Sequence, residues 1–287
     1  MANIPVKDSA GTTKYKLTHN DGSTSAAPAA DIQMPFNLAV SMGMVDGYSS
    51  VNKFGHNPAA TDGDDVWHGG GTYGFYPTSA VSIDIKSSSG SDVAAGTGAR
   101  TVIVQGLDEN WEEATSAEIT LTGGTEVAIA GTWMRISRCI VLTAGSGGTN
   151  AGNITVQCVG AGGGLSDNTV GIYVAAGDGQ TQQTIYTIPA GKSGYFIKGY
   201  VGVADDDKNG EVAEFQWQMR LNNGTTGAWA VKGEMATNSG GASHWQYEYG
   251  VPTGPIPAKT DIRIKMINTT AGAIGVVGGY DLILKDD

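Results

Sequence analysis

Cysteine is nearly missing. The 287 residues contain only Cys139 and Cys158, which excludes a disulfide framework and leaves no Cys-x-x-Cys pair to open a zinc site. Both are expected to be small buried residues. Charge is also scarce: 16% of residues are charged, against about a quarter in an average domain. Cations are scarcer still, with 17 Lys and Arg against 28 Asp and Glu and a formal charge of −11. A chain of that sign without a basic cluster repels phosphate backbones, so nucleic-acid binding is not expected. No apolar run approaches the length of a membrane-spanning helix. The first residues, MANIPVKDSAGTTKYKL, lack the apolar core of a secretory leader, so assembly in a cytoplasm is expected. With four His there is no H-E-x-x-H, and no G-x-S-x-G elbow occurs.

What is abundant is glycine. The chain has 44, about twice the usual share and without the three-residue period of collagen. Between these glycines, short runs alternate apolar and polar residues, the signature of half-buried strands. Val81–Ile85, Thr101–Gln105, Ala117–Leu121 and Asn153–Gln157 are such runs. Val127–Ala130, Thr132–Leu142, Val170–Ala175 and Thr184–Ile188 follow the same rule, as do Tyr195–Val203 and Glu214–Leu221. Ala228–Met235, His244–Tyr249, Asp261–Ile267 and Gly279–Leu284 complete about fourteen strands. Strands so spaced, without interleaved helices, predict an all-β fold of β-sandwich or jelly-roll modules.

The organisation predicted is an N-terminal arm with a short helix over residues 1–45, a Gly/Thr-rich β module over 46–162, and a C-terminal jelly-roll-like β-sandwich over 163–287. The boundary is placed in the glycine-rich stretch Gly160–Asn168. Residues 1–30 read as extended, and Lys7, Lys14 and Lys16 are the early cationic cluster. A helix is expected within Ile32–Val45, with Pro35 in its first turn and Gly43 ending it. Phe36 and Leu38 on that helix, with the three lysines, are the candidate contact residues for a partner surface or a second copy. Trp245, Tyr247 and Tyr249 alternate along one strand, a pattern that suits either a sandwich core or a ligand face. Edges of a sheet-rich body with little surface charge need covering, which points to neighbouring subunits.

Several tempting motifs fail on their own chemistry. Gly191-Lys192-Ser193 lacks the earlier glycine of a phosphate loop, because Tyr186 stands there, and a strand follows it. Gly160–Gly164 has no helix after it to serve as a dinucleotide loop. Asp205–Gly210 starts like a calcium loop, but Gln216 occupies the closing position where a bidentate Glu is needed. Asp62, Asp64, Asp65 and His68 read as a surface loop with Trp67 packed inward. No cofactor, metal or catalytic residue is therefore assigned, and the chain is read as a non-enzyme.

Certain phrases carry a resemblance. They are Gly47-Tyr-Ser-Ser-Val-Asn-Lys-Phe-Gly55, Val66-Trp-His-Gly-Gly-Gly-Thr-Tyr73, Ala94-Ala-Gly-Thr-Gly-Ala-Arg-Thr-Val102 and Gly106-Leu-Asp-Glu-Asn-Trp111. Gly145–Ile154, Tyr186-Thr-Ile-Pro-Ala-Gly191 and Pro257–Arg263 belong with them. Over roughly residues 35–287 the set resembles virion structural proteins of tailed bacteriophages, marine and environmental ones above all. These are turns and strand edges, so the resemblance bears on lineage and fold. It implies a capsid decoration, or cement, protein: a homotrimer on the capsid surface, assembled in the host cytoplasm and bound to the major capsid protein. The alternative it implies is a tail-associated receptor-binding protein whose aromatic face meets a host-surface glycan.

Overall fold

The computed structural model describes residues 3–7, 13–17, 35–204, 210–222, 227–238, 244–270 and 272–287; for 3–7, 13–17, 244–245 and 249–251 the description is of the backbone. The chain divides into two units, residues 1–44 and 45–287. The first holds β1 (Asn3–Lys7), β2 (Thr13–Leu17) and the helix α1 (Phe36–Ser41). β1 and β2 pair antiparallel, with Ile4 opposite Lys16, Val6 opposite Lys14 and Lys7 opposite Thr13. The stretch read as an extended arm thus contains a two-stranded ribbon.

α1 is short because its ends are fixed. Pro35 is the N-cap, and its carbonyl accepts from the N–H groups of Leu38 and Ala39. At the other end Gly43 takes φ +67°, Gly43 N–H donates to Val40 O and Met44 N–H donates to Ala39 O. That is the paired closure of a Schellman motif, which needs a left-handed residue where glycine stands.

The second unit is all-β. Its strands are β3 (Tyr48–Ala60), β4 (Val81–Ser87), β5 (Ala99–Asp108), β6 (Glu113–Thr115), β7 (Ile119–Thr120) and β8 (Val127–Ala144). Then come β9 (Ile154–Cys158), β10 (Val170–Val174), β11 (Tyr186–Thr187), β12 (Lys192–Val203) and β13 (Val212–Leu221). β14 (Ala230–Asn238), β15 (His244–Ile256), β16 (Thr260–Thr269) and β17 (Ile274–Asp286) complete the chain. One sheet runs β10-β9-β4-β8-β5-β6, with β7 also on β5. The other two are four-stranded, β11-β16-β13-β14 and β15-β12-β17-β3, and all named pairings are antiparallel. β8 is one strand where the sequence suggested two. It pairs with β4 over its first half and with β5 over its second, and Gly131 at φ +86° absorbs the irregularity between them.

Two apolar cores result. The four-stranded sheets enclose Phe196, Phe215, Trp217, Ile262, Ile264, Met266, Tyr280 and Leu282. The seven-stranded sheet, with the segments before β4 and β11, encloses Tyr73, Phe75, Ile83, Ile85, Val102, Trp133, Ile154 and Ile172. The boundary expected at 162/163 lies inside the β9–β10 connection of a single sheet. β3 pairs with β17 of the C-terminal sandwich rather than with its sequence neighbours, so the cores do not follow the chain order 46–162 and 163–287.

Candidate functional site

Four of the nine large apolar side chains that are exposed among the described residues fall within ten positions. Phe36, Leu38, Met42 and Met44 are 48–62% exposed, while Val40, between them, is buried. The local cause is the helix itself: a six-residue turn of helix cannot present one face inward for all of these positions. The other five, Leu142, Val159, Leu221, Val231 and Tyr247, are spread across three sheets and their connections. Scattered exposed apolar residues need no explanation, whereas four within nine positions make this segment the candidate contact. Each is about half-exposed, so covering it would remove about half the apolar area that a fully exposed side chain offers.

The other predicted residues are placed as follows. Lys7 lies on β1 and Lys14 and Lys16 on β2; their side chains lie outside the described residues. Trp245, Tyr247 and Tyr249 share β15, an edge strand, with Trp245 opposite Val201 and Tyr247 opposite Gly199. Tyr247 is 47% exposed, and the side chains of Trp245 and Tyr249 lie outside the described residues. The aromatic that fills the sandwich core is Trp217. Its ring occupies the space above Gly199, where an added Cβ would sit 1.7 Å from the indole.

The groups with chemical potential are mostly spent on one another. In the sheet β11-β16-β13-β14, the central strands β13 and β16 are largely buried on both faces. One face gives Trp217, Met219, Ile262 and Ile264 to the core; the other carries the cross-strand pairs Gln218–Arg263 and Arg220–Asp261. Asp261 is fully buried and accepts from Arg135 Nε at 2.8 Å and Nη2 at 3.0 Å, Arg220 Nη2 at 2.8 Å, Asn222 at 2.7 Å and Thr187 at 2.6 Å. Despite burial, these donors hold its carboxyl below the ordinary range. The guanidiniums alternate with aromatic rings. Arg135 lies over Trp111, Arg220 over Tyr76 and Trp229, and Arg263 over Trp229 at 3.9 Å. Asp65 accepts from Arg263 at 3.2 Å and from Tyr73 N–H at 2.8 Å, but its Oδ1 is buried without a partner. Burial pushes its carboxyl up to about 6.

His68 Nδ1 lies 2.9 Å from Asp178, and His56 meets His68 edge-on at 5.1 Å. Burial and the neighbouring His68 lower the His56 pKa. No hydroxyl or thiol bonds either imidazole among the described residues. Burial pushes the Cys139 thiol up to about 12, far from a reactive thiolate. No group of three His, Cys, Asp or Glu among the described residues is placed to hold a metal. Of the calcium-loop candidate, Asp205–Asn209 lie outside the described residues. The aromatic and charged stack could not be found from sequence, because its members come from six separate segments and share no spacing.

No family model matches the chain, and no curated protein matches it. Among solved structures, one of infectious bursal disease virus, Gt strain, is similar at 11% identity and TM-score 0.22, covering 88% of this chain and 78% of that one. A subviral particle of the VP2 protein of infectious bursal disease virus is similar at 10% identity and TM-score 0.21, covering 83% and 76%. The PBSX exported protein XepA is similar at 12% identity and TM-score 0.17, covering 97% and 98%. At these TM-scores the likenesses assign no role to the chain.

Proposed function

We propose that this chain is a structural protein of a tailed-phage virion, and specifically a capsid decoration protein that binds through its N-terminal unit. The observation that carries the reading is the set Phe36, Leu38, Met42 and Met44, exposed on a short capped helix and the turn that closes it, shortly after the lysine-bearing segment 1–30. Apolar anchors near in sequence to Lys7, Lys14 and Lys16 suit an acidic protein surface, and several copies binding together add avidity to individually weak contacts. The sequence phrases that resemble phage virion proteins support the same lineage. In this reading the protein is a homotrimer without catalytic activity. It bridges major capsid subunits from the outside, and its role is mechanical.

The test is the copy number of the chain in purified virions, measured by quantitative mass spectrometry against the major capsid protein. A ratio near one to one, or near one trimer for each three-fold position, is expected. A few copies per hundred capsid subunits would overturn decoration. That outcome would favour a tail-associated adhesin, the reading that the exposed Tyr247 on edge strand β15 supports.

A further inference from the structure

A cleft of about 350 Å³ opens where β3 of the sandwich meets β5, β6 and β8 of the seven-stranded sheet, beside β11. Its size is at the small end of ligand pockets, the scale of one small organic molecule. Three cations line it, Lys53, Arg135 and Arg138, in a protein of net charge −11. Lys53 is only 4% exposed. Its Nζ donates to Ser137 O at 2.7 Å, and no carboxylate pairs with it among the described residues. Arg138 gives one nitrogen to Asn52 O at 2.7 Å and likewise has no ion pair there. Arg135 shares its counter-ion, Asp261, with Arg220.

An amine and a guanidinium brought together without a counter-charge raise the energy of the empty cleft, and an anion between them lowers it. Glu113, on the rim and 3.6 Å from Lys192, disfavours a second negative charge on the ligand. Gln105, Ser50 and Thr115 also line the cleft. Their side-chain polar groups have no protein partner among the described residues and are available to hydroxyls.

We propose that this cleft binds a small hydroxylated carboxylate of the sugar-acid class, with the carboxylate held between Lys53 and Arg138 and the hydroxyls met by Gln105, Ser50 and Thr115. The groups facing Lys53 are Arg135 and Arg138 on β8, Glu113 on β6, Tyr186 on β11 and, across the ladder, Tyr280 on β17. Burial and Arg138 hold the Lys53 ammonium well below its ordinary pKa. A bound carboxylate offsets the repulsion from Arg138 and favours the charged form of Lys53, so binding weakens as pH rises and the ammonium is lost. The site belongs to the isolated chain, so its test is independent of where the protein sits in a virion.

The experiment is isothermal titration calorimetry of the full chain with sodium glucuronate at constant ionic strength. Glucose, acetate and inorganic phosphate serve as comparison probes, and runs at rising pH follow the loss of the Lys53 ammonium. Saturable glucuronate binding that weakens as pH rises is expected, weakened about tenfold or more in Arg138→Gln and in Lys53→Met. Arg138 is partly exposed, so Arg138→Gln tests the site even if Lys53→Met fails to fold. No saturable binding, or binding unchanged in Arg138→Gln, overturns the site. Glucose binding as tightly as glucuronate overturns the role of the charge, and phosphate binding more tightly overturns the carboxylate.

Discussion

Residues 36–44 and the seam between the two β cores invert the usual rule in opposite directions. The first leaves Phe36, Leu38, Met42 and Met44 in water. The second buries Asp65, Asp261, Arg135, Arg220 and Arg263, each under 9% exposed. In the proposed function the cost of the first is removed by a partner surface; the cost of the second must be met within the fold, by hydrogen bonds and stacked rings. The difference teaches where this chain is complete. The seam is satisfied apart from a few atoms such as Asp65 Oδ1, and replacing its members damages stability. Leu38, Met42 and Met44 are about half-exposed or more, and under the proposed function replacing them damages association.

The largest effect is expected from Asp261→Ala. It leaves Arg135 and Arg220 buried and facing each other without their carboxylate, and breaking a buried pair in this way costs about 3–5 kcal/mol. Urea unfolding read by Trp fluorescence measures the loss. Asp261→Asn, which keeps the shape and part of the hydrogen bonding, should lose less. A loss under about 1 kcal/mol for Asp261→Ala would mean that the stacked rings, not the carboxylate, hold the seam.

The seam also explains what the sequence could and could not disclose. Val81–Ile85, Thr101–Gln105 and Asn153–Gln157 are strands in the structure because apolar residues recur on one face of each, and the period is local. α1 was legible from Pro35 and Gly43 for the same reason. β3 was missed because its inward positions are Lys53, Gly55 and Asn57, which show no apolar alternation. Lys53 reaches Ser137 O, Asn57 reaches Asp65 O, and a Cβ on Gly55 would strike Val66 O. Those reasons lie 8 to 84 residues away in sequence. The same holds for Arg135 and Asp261, 126 residues apart. Of the predicted site residues, Phe36, Leu38 and Tyr247 are exposed, while the cationic cleft joins five strands and left no mark in any one segment.

A smaller effect sharpens the comparison within the seam itself. The folded state holds the Asp65 carboxyl at about 6, above its ordinary 3.8. Between those values the folded protein therefore binds more protons at this site than the unfolded chain. Its contribution is fully present below pH 4 and is lost as pH rises through about 6. Asp261, held below its ordinary range, acts in the opposite sense, and its contribution is lost only as pH falls below that range. Unfolding free energies measured from pH 4 to 7 should decline with pH from the Asp65 term, and Asp65→Asn should flatten that decline. An unchanged slope in Asp65→Asn would assign it to another group, and Asp84, whose carboxyl burial also holds above its ordinary range, is the one to test next.

The smallest expected change in stability belongs to Leu38→Asp. Leu38 is 48% exposed, and a substitution at such a position shifts unfolding by about 0.5 kcal/mol or less. The measurement that matters is binding to particles lacking the protein, followed by co-sedimentation. If the helix is the anchor, one buried charge in an apolar contact should reduce bound copies at least tenfold while the unfolding curve stays in place. Deleting residues 1–30 separates the contributions. Loss of binding with the helix intact assigns the contact to the lysine-bearing segment, and retained binding assigns it to Phe36, Leu38, Met42 and Met44. Should Leu38→Asp destabilise the isolated chain by several kcal/mol, the helix would be part of the folded core rather than an unfilled contact, and the contrast with the seam would disappear.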